Sequence, residues 1–148
     1  MISFRIADEA DTHVVSQLLA DLFEEVGHTS TASEIAEIFL QIDSDELHST
    51  LLALNEDEEA VGILTIVESI GLYAGGRMGV INELYVVPNY RSEGVGKLLL
   101  DAAKELAEQR GWVRIEVTTP GEEYAKTIRF YEREGFMPIG PRYKYMVD

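Results

Sequence analysis

The run ELYVVPNYRSEGVGKLLLDAAKEL, residues 83–106, constrains this chain more than any other stretch. Residues that favour strands stop at Pro88, and helical spacing begins at Val95. The loop between them carries one arginine and leads into two glycines. The first amides of a helix have no partner inside it, and the helix dipole is positive at that end. Glycines let the backbone come close to a bound anion. Gly94 and Gly96 stand at the helix start, with Arg91 and Lys97 beside them. The segment Arg91-Ser92-Glu93-Gly94-Val95-Gly96-Lys97 therefore suits a pyrophosphate. The glycines by themselves suit an ordinary strand-to-helix turn equally well. Two nucleotide motifs fit poorly. Lys97 is followed by Leu98, not Ser or Thr, and G-x-G-x-x-G is absent.

The rest of the chain alternates between the two periods. Ile2, Phe4 and Ile6 mark a strand, and Asp8 with Asp11 caps the helix after it. Val15, Leu18, Leu19, Leu22, Phe23 and Val26 line one face of that helix, which Gly27 stops. TASE (31–34) has capping-box spacing and opens a short helix with Ile35, Ile38, Phe39 and Ile42. STLLAL and AVGILTIVES are strands joined by the acidic turn NEDEE, and IGLYAGGR is expected to be a loop. MGVINELYVV is the strand that Pro88 ends. A helix closed by Gly111 comes next, then the strand WVRIEVTT, a Pro120-Gly121 turn, the helix EEYAKTIRFYERE and a closing strand RYKYMV. The order is β-α-α-β-β-β-α-β-α-β, an α+β pattern. Its 148 residues hold no repeat or linker, so one domain, 1–148, is expected.

Composition narrows the chemistry. There is no cysteine, which excludes disulfides, thiolate zinc sites and a cysteine nucleophile. His13, His28 and His48 lack metal-ligand spacing, so no metal is expected. The net charge of −15 is uneven. Residues 1–60 hold fifteen Asp and Glu against Arg5 alone (−14), and the remainder holds twelve against eleven (−1). Nucleic acid is a poor partner for such a surface. Most of these carboxylates read as a solvated face. A sharper reading is a negative field presented to a cationic small molecule. No stretch approaches the roughly 20 apolar residues of a membrane helix, and the first residues have no signal-peptide pattern. A soluble cytoplasmic protein is expected.

The motif VVPNYRSEGVGKLLL resembles the acyl-CoA signature of the GNAT superfamily of N-acetyltransferases, R/Q-x-x-G-x-G/A, with Arg91, Gly94 and Gly96 at its three positions. TIRFYEREGF, residues 127–136, resembles the family's later helix, which carries Phe-Tyr and leads into Gly-Phe. The element order also agrees, so the resemblance covers nearly the whole chain. It implies a three-layer fold: a mixed, mostly antiparallel sheet with helices on both faces. It also implies acetyl-CoA as donor, CoA as product, and an amine as acceptor. Homodimers are common in the family.

The resemblance assigns roles to particular residues. The strand at 83–87 would hold the pantetheine arm through the main chain of Leu84 and Val86, with Tyr85 between them, and residues 91–97 would hold the pyrophosphate. A backbone N–H near Val86 would meet the oxyanion. Tyr131 falls where the family has a tyrosine that protonates the leaving thiolate, with Phe130 as core or cofactor packing. Glu83 is a candidate base. A surface carboxylate, with a water chain as base instead, is the alternative. Glu24 and Glu25 lie near the acceptor end. Tyr124 stands where the family often has a cofactor-binding asparagine. It could offer its hydroxyl to the cofactor, shape the acceptor pocket, or be exposed packing. Other readings remain at this level: a catalytically silent CoA-binding regulatory module, a protein N-terminal or lysine acetyltransferase, and a nucleotide-binding protein.

Overall fold

The computed structural model describes residues 1–119 and 124–147. They fall into two compact units, Met1–Glu116 and Val117–Asp148. The elements are β1 (Ser3–Ile6), α1 (Thr12–Glu25), α2 (Ala32–Asp43), β2 (His48–Leu54), β3 (Ala60–Gly71), β4 (Gly76–Val86), α3 (Val95–Arg110), β5 (Arg114–Val117) and α4 (Ala125–Arg133). One sheet runs in the order β1-β2-β3-β4-β5. The first four strands pair antiparallel. The Val113 amide donates to the Arg77 carbonyl at 2.8 Å, where β4 and β5 both begin. The last pair therefore runs parallel, as a helical crossover requires.

Capping residues set the helix starts. The Asp8 carboxylate accepts from the Ala10 amide, and Asp11 accepts in return from the Asp8 amide at 2.9 Å. Arg5 grips both Asp11 oxygens, at 2.7 and 2.8 Å, and holds that carboxyl below its usual range. The Thr31 hydroxyl accepts from the Glu34 amide at 3.1 Å, which opens α2.

The two sheet faces carry different layers. Leu52, Ile63 and Tyr85 share a buried cluster with Val15, Leu18 and Leu19 of α1 and Ile35 and Phe39 of α2. On the other face α3 buries Val95, Leu99, Ala102 and Ala103. A Cβ at Gly62 would meet the Val95 and Leu99 side chains at 3.0 and 3.2 Å, so α3 lies close against β3. A bulge interrupts the β3–β4 ladder. Thr65 pairs with Glu83 but Ile66 pairs with Ile81, which leaves Asn82 as the extra residue.

Two expectations need correction. IGLYAGGR is not a free loop. The ladder continues to Gly71 opposite Gly76, and a tight turn over Leu72–Gly75 closes it, with the Gly71 carbonyl accepting from the Ala74 and Gly75 amides. RYKYMV forms no strand. Residues 136–147 have no regular secondary structure, and Tyr143 and Tyr145 are almost fully exposed. Alternation marks a strand only where a neighbour supplies the ladder, and no described residue pairs with this segment. The strand WVRIEVTT is trimmed to Arg114–Val117, and the Pro120-Gly121 turn lies outside the described residues. Among the described residues no helix is long and apolar enough to cross a membrane.

Trp112 anchors the junction of α3 and β5. Its indole N–H donates to Glu68 at 2.7 Å, and its ring lies directly over Gly79. A Cβ at Gly79 would sit 2.6 Å from Trp112 Cε3 and 2.8 Å from Ile66 Cδ1. Gly79→Ala should therefore cost about 1–3 kcal/mol by overpacking, a fall of several degrees in Tm. Calorimetry of the variant checks this, and an unchanged Tm would mean that Trp112 is free to move aside.

Candidate active site

The loop before α3 is shaped by two left-handed residues. Ser92 has φ +64° and Gly94 has φ +83°. A Cβ at Gly94 would meet nothing within 4 Å, so backbone conformation, not crowding, explains the glycine there. The first bond of α3 runs from the Leu98 amide to the Gly94 carbonyl at 3.0 Å. The Val95 and Gly96 amides therefore have no acceptor inside the helix. Glu93 is exposed, as are Ser92 and Lys97, so the loop is open to a ligand.

The cations of this loop are committed elsewhere. The Arg91 guanidinium donates to Glu25 at 2.7 Å and to the Val86 carbonyl at 2.9 Å, and it lies 5.5 Å from the centre of the Tyr85 ring. It joins the end of β4 to the last residue of α1. Lys97 pairs with Asp101 at 2.9 Å. Arg91 thus holds the strand end that precedes the loop.

The end of β4 sorts its groups by alternation. The Val87 amide donates to the Val61 carbonyl at 3.0 Å, so Val87, Tyr85 and Glu83 turn their main chain toward β3. The amides and carbonyls of Leu84 and Val86 face the opposite edge. There β5 is only four residues long and starts beside Arg77, too short to reach them. The half-buried side chains of Leu84 and Val86 lie on the α3 face, while Tyr85 points toward α1. Tyr85 thus stands apart from its two neighbours. Burial, with Glu25 and Asp21 nearby, pushes its phenol up.

Glu83 shares the Tyr85 face. Its amide donates to Thr65 Oγ1 at 3.1 Å, and that hydroxyl donates back to Glu83 Oε1. This closed loop fixes the carboxyl. Burial raises its pKa above the ordinary value, opposed by the Thr65 hydrogen bond and by the charge of His48. The sequence alone left Glu83 equally a surface group; the side chain is half-buried and braced.

The second unit carries the aromatic residues. Tyr131 is buried on α4, with the rings of Phe130 and Phe136 edge-on at 5.2 and 5.6 Å. Burial pushes its phenol up to about 12. Phe130 is half-buried under Arg133. Tyr124 is the half-buried residue that precedes α4, and its side chain gives that helix no cap. Glu24 is exposed at the end of α1.

Thr65 and Thr50 went unnoticed in the sequence, where His48 was weighed only as a metal ligand. Their signal was there: the apolar alternation of β2 and β3 turns polar at the same end. Among the described residues no group of three potential ligands could hold a metal.

The profile of the Acetyltransferase (GNAT) family matches residues 12–136. An uncharacterized N-acetyltransferase of Bacillus subtilis (strain 168), YhfO, is 27% identical over 136 residues, which covers 91% of this chain and 89% of that protein. The crystal structure of a transcriptional regulator from Bacillus halodurans C-125 superposes with a TM-score of 0.86 at 26% identity, covering 99% of this chain and 100% of that one. The aminoglycoside N-acetyltransferase AAC(6')-Iy in complex with CoA superposes with a TM-score of 0.84 at 16% identity, covering 99% and 95%. That last likeness is one of fold. A profile match across both units, over the strand, loop and helix described above, identifies the chain as a member of the GNAT acetyltransferase family, an acyltransferase that moves acetyl groups to amines.

Proposed function

We propose that this protein transfers the acetyl group of acetyl-CoA to a small cationic primary amine by direct attack. The observation that carries the reading is Glu83. It is a braced carboxyl of raised pKa, one residue from main-chain groups that face away from β3 and close in sequence to the glycine loop before α3. The pantetheine amides would complete the edge of β4 at Leu84 and Val86, where the Val86 carbonyl already accepts from Arg91. The amides of residues 92–97 would hold the pyrophosphate.

An alkyl ammonium has a pKa of about 10.4, so almost none is neutral at pH 7. Glu83 takes one proton from it, and the freed nitrogen lone pair attacks the thioester carbonyl. The Val86 N–H donates to the oxygen that gains charge. As the C–S bond breaks, the sulfur takes the phenolic proton of Tyr131, and the second proton of the nitrogen restores the phenol. A phenol near 12 is a weaker acid than a thiol of about 8.5, and full transfer ahead of bond breaking would cost about 5 kcal/mol. Tyr131 therefore donates in step with departure.

The cationic acceptor rests on charge. Residues 1–60 carry −14, and Glu24, Glu25 and Asp21 cluster at the end of α1. Polyamines, aminoglycosides and basic amino acids fit that field. The likeness to a structure named as a transcriptional regulator keeps one other reading in view: the same fold binding CoA without turnover.

A thiol-release screen with acetyl-CoA across an amine panel tests the proposal. We expect turnover with polycationic amines above neutral ones, and a Tm raised by CoA but not by ATP. Stabilisation by CoA with no turnover on any amine selects the silent reading. Tyr131→Phe should lower kcat about 100-fold and leave the CoA-induced Tm shift in place; near-wild-type kcat would remove Tyr131 from the acid role. In the pH profile of kcat/KM, Glu83→Gln should abolish the acidic limb. Thr65→Val removes a bond that favours the carboxylate, so it should move the limb to higher pH. A limb that stays where it was in both variants would exclude Glu83 as base.

A further inference from the structure

A half-buried base that takes a proton in every turnover must return it to water. The ladder lays out a row of polar side chains that could carry it. Thr65 stands directly opposite Glu83 on β4 and opposite Thr50 on β2. His48 lies two residues before Thr50 and opposite Val67, so it is the diagonal neighbour of Thr65. Paired residues share a sheet face, and all four side chains therefore point to the α1/α2 side. Thr50 and Thr65 are buried, and the His48 side chain is 25% exposed. His48 and Glu83, at the two ends of the row, are its members that are not fully buried.

The imidazole is also oriented. Asp45, in the turn between α2 and β2, accepts from the Leu47 amide through Oδ1 at 2.8 Å, which fixes its carboxylate. Its Oδ2 lies 3.5 Å from His48 Nδ1. That nitrogen is buried and has no hydrogen-bond partner, so Asp45 is the group placed to steady it. A carboxylate behind Nδ1 leaves Nε2 as the working nitrogen. Asp45 lies beside the ring, and its neighbour on β3, Val67, is apolar.

We propose that His48 is the proton exit of this site, accepting on Nε2 the proton that Glu83 takes from the acceptor amine and releasing it to solvent. The O–H bond of the protonated Glu83 breaks, an N–H bond forms on the imidazole, and loss of that proton to water restores both groups. No other reactant is needed. The inference rests on Glu83 as base, and it assigns His48 a role that no metal or ligand spacing in the sequence indicated.

His48→Ala should lower kcat about tenfold with KM for acetyl-CoA unchanged, and added imidazole should restore several-fold of the loss while leaving the wild type unaffected. His48→Gln keeps the bulk of the ring without its basicity and should be equally slow, which keeps the test valid if the alanine variant folds poorly. Asp45→Asn retains an acceptor for the Leu47 amide and should give an intermediate loss of about threefold. A kcat within twofold of wild type in both His48 variants overturns the proposal. So does a slow His48→Ala enzyme that imidazole leaves unchanged, because loss of packing alone would behave that way. Glu83→Gln separates the two levels. If it keeps the acidic limb, the base assignment fails and the exit with it; if it loses the limb while His48→Ala is fast, only the exit fails.

Discussion

The pairing of β4 with β3 is the constraint on which the site depends. An antiparallel ladder turns alternate residues toward the neighbouring strand. At the end of β4 this sends the main chain of Glu83, Tyr85 and Val87 toward β3, and the main chain of Leu84 and Val86 toward the open edge. Side chains sort in the same rhythm. Glu83 and Tyr85 go to the α1/α2 face, and Leu84 and Val86 go to the α3 face. One geometric rule thus sorts five residues of chain between two faces and two edges. Arg91 preserves this arrangement where the ladder ends, by tying the Val86 carbonyl to α1 through Glu25. Such an exposed ion pair contributes little to stability, so its effect is one of position.

Burial then acts on groups that geometry has placed. It raises the pKa of Glu83 into a more basic range and that of Tyr131 to about 12. A more basic carboxylate removes protons more readily, and a phenol that stays protonated is always ready to donate. Thr65 tempers the first shift, because a hydroxyl donated to the carboxylate favours its charged form. Thr65 is therefore both brace and regulator of basicity.

Much of this was legible in the sequence, and the reasons differ by element. Helix α3 could be read because Pro88, Gly94 and Gly111 punctuate it and its apolar stripe is regular. The motif around Arg91 could be read from the sequence, but not what the arginine touches. Its partner Glu25 is 66 residues away in sequence, and nothing local encodes that contact. The polar row of His48, Thr50, Thr65 and Glu83 was hidden for a similar reason. Each residue is an ordinary interruption of its own strand, and only the register aligns them. RYKYMV shows the opposite failure. Its alternation is genuine, but pairing depends on a neighbouring strand, which alternation alone cannot supply.

The bulge at Asn82 separates two demands that a regular strand could not meet together. Ile81 and Glu83 are two residues apart, and in an unbroken strand they would point the same way. The extra residue lets Ile81 join the buried core while Glu83 turns to the opposite layer. The half of β4 that docks Trp112 is consequently out of phase with the half that carries the reactive carboxyl. Changes of packing around Gly79 can be absorbed without rotating Glu83 off its face. The strand behaves as two short strands spliced end to end, each free to satisfy its own layer.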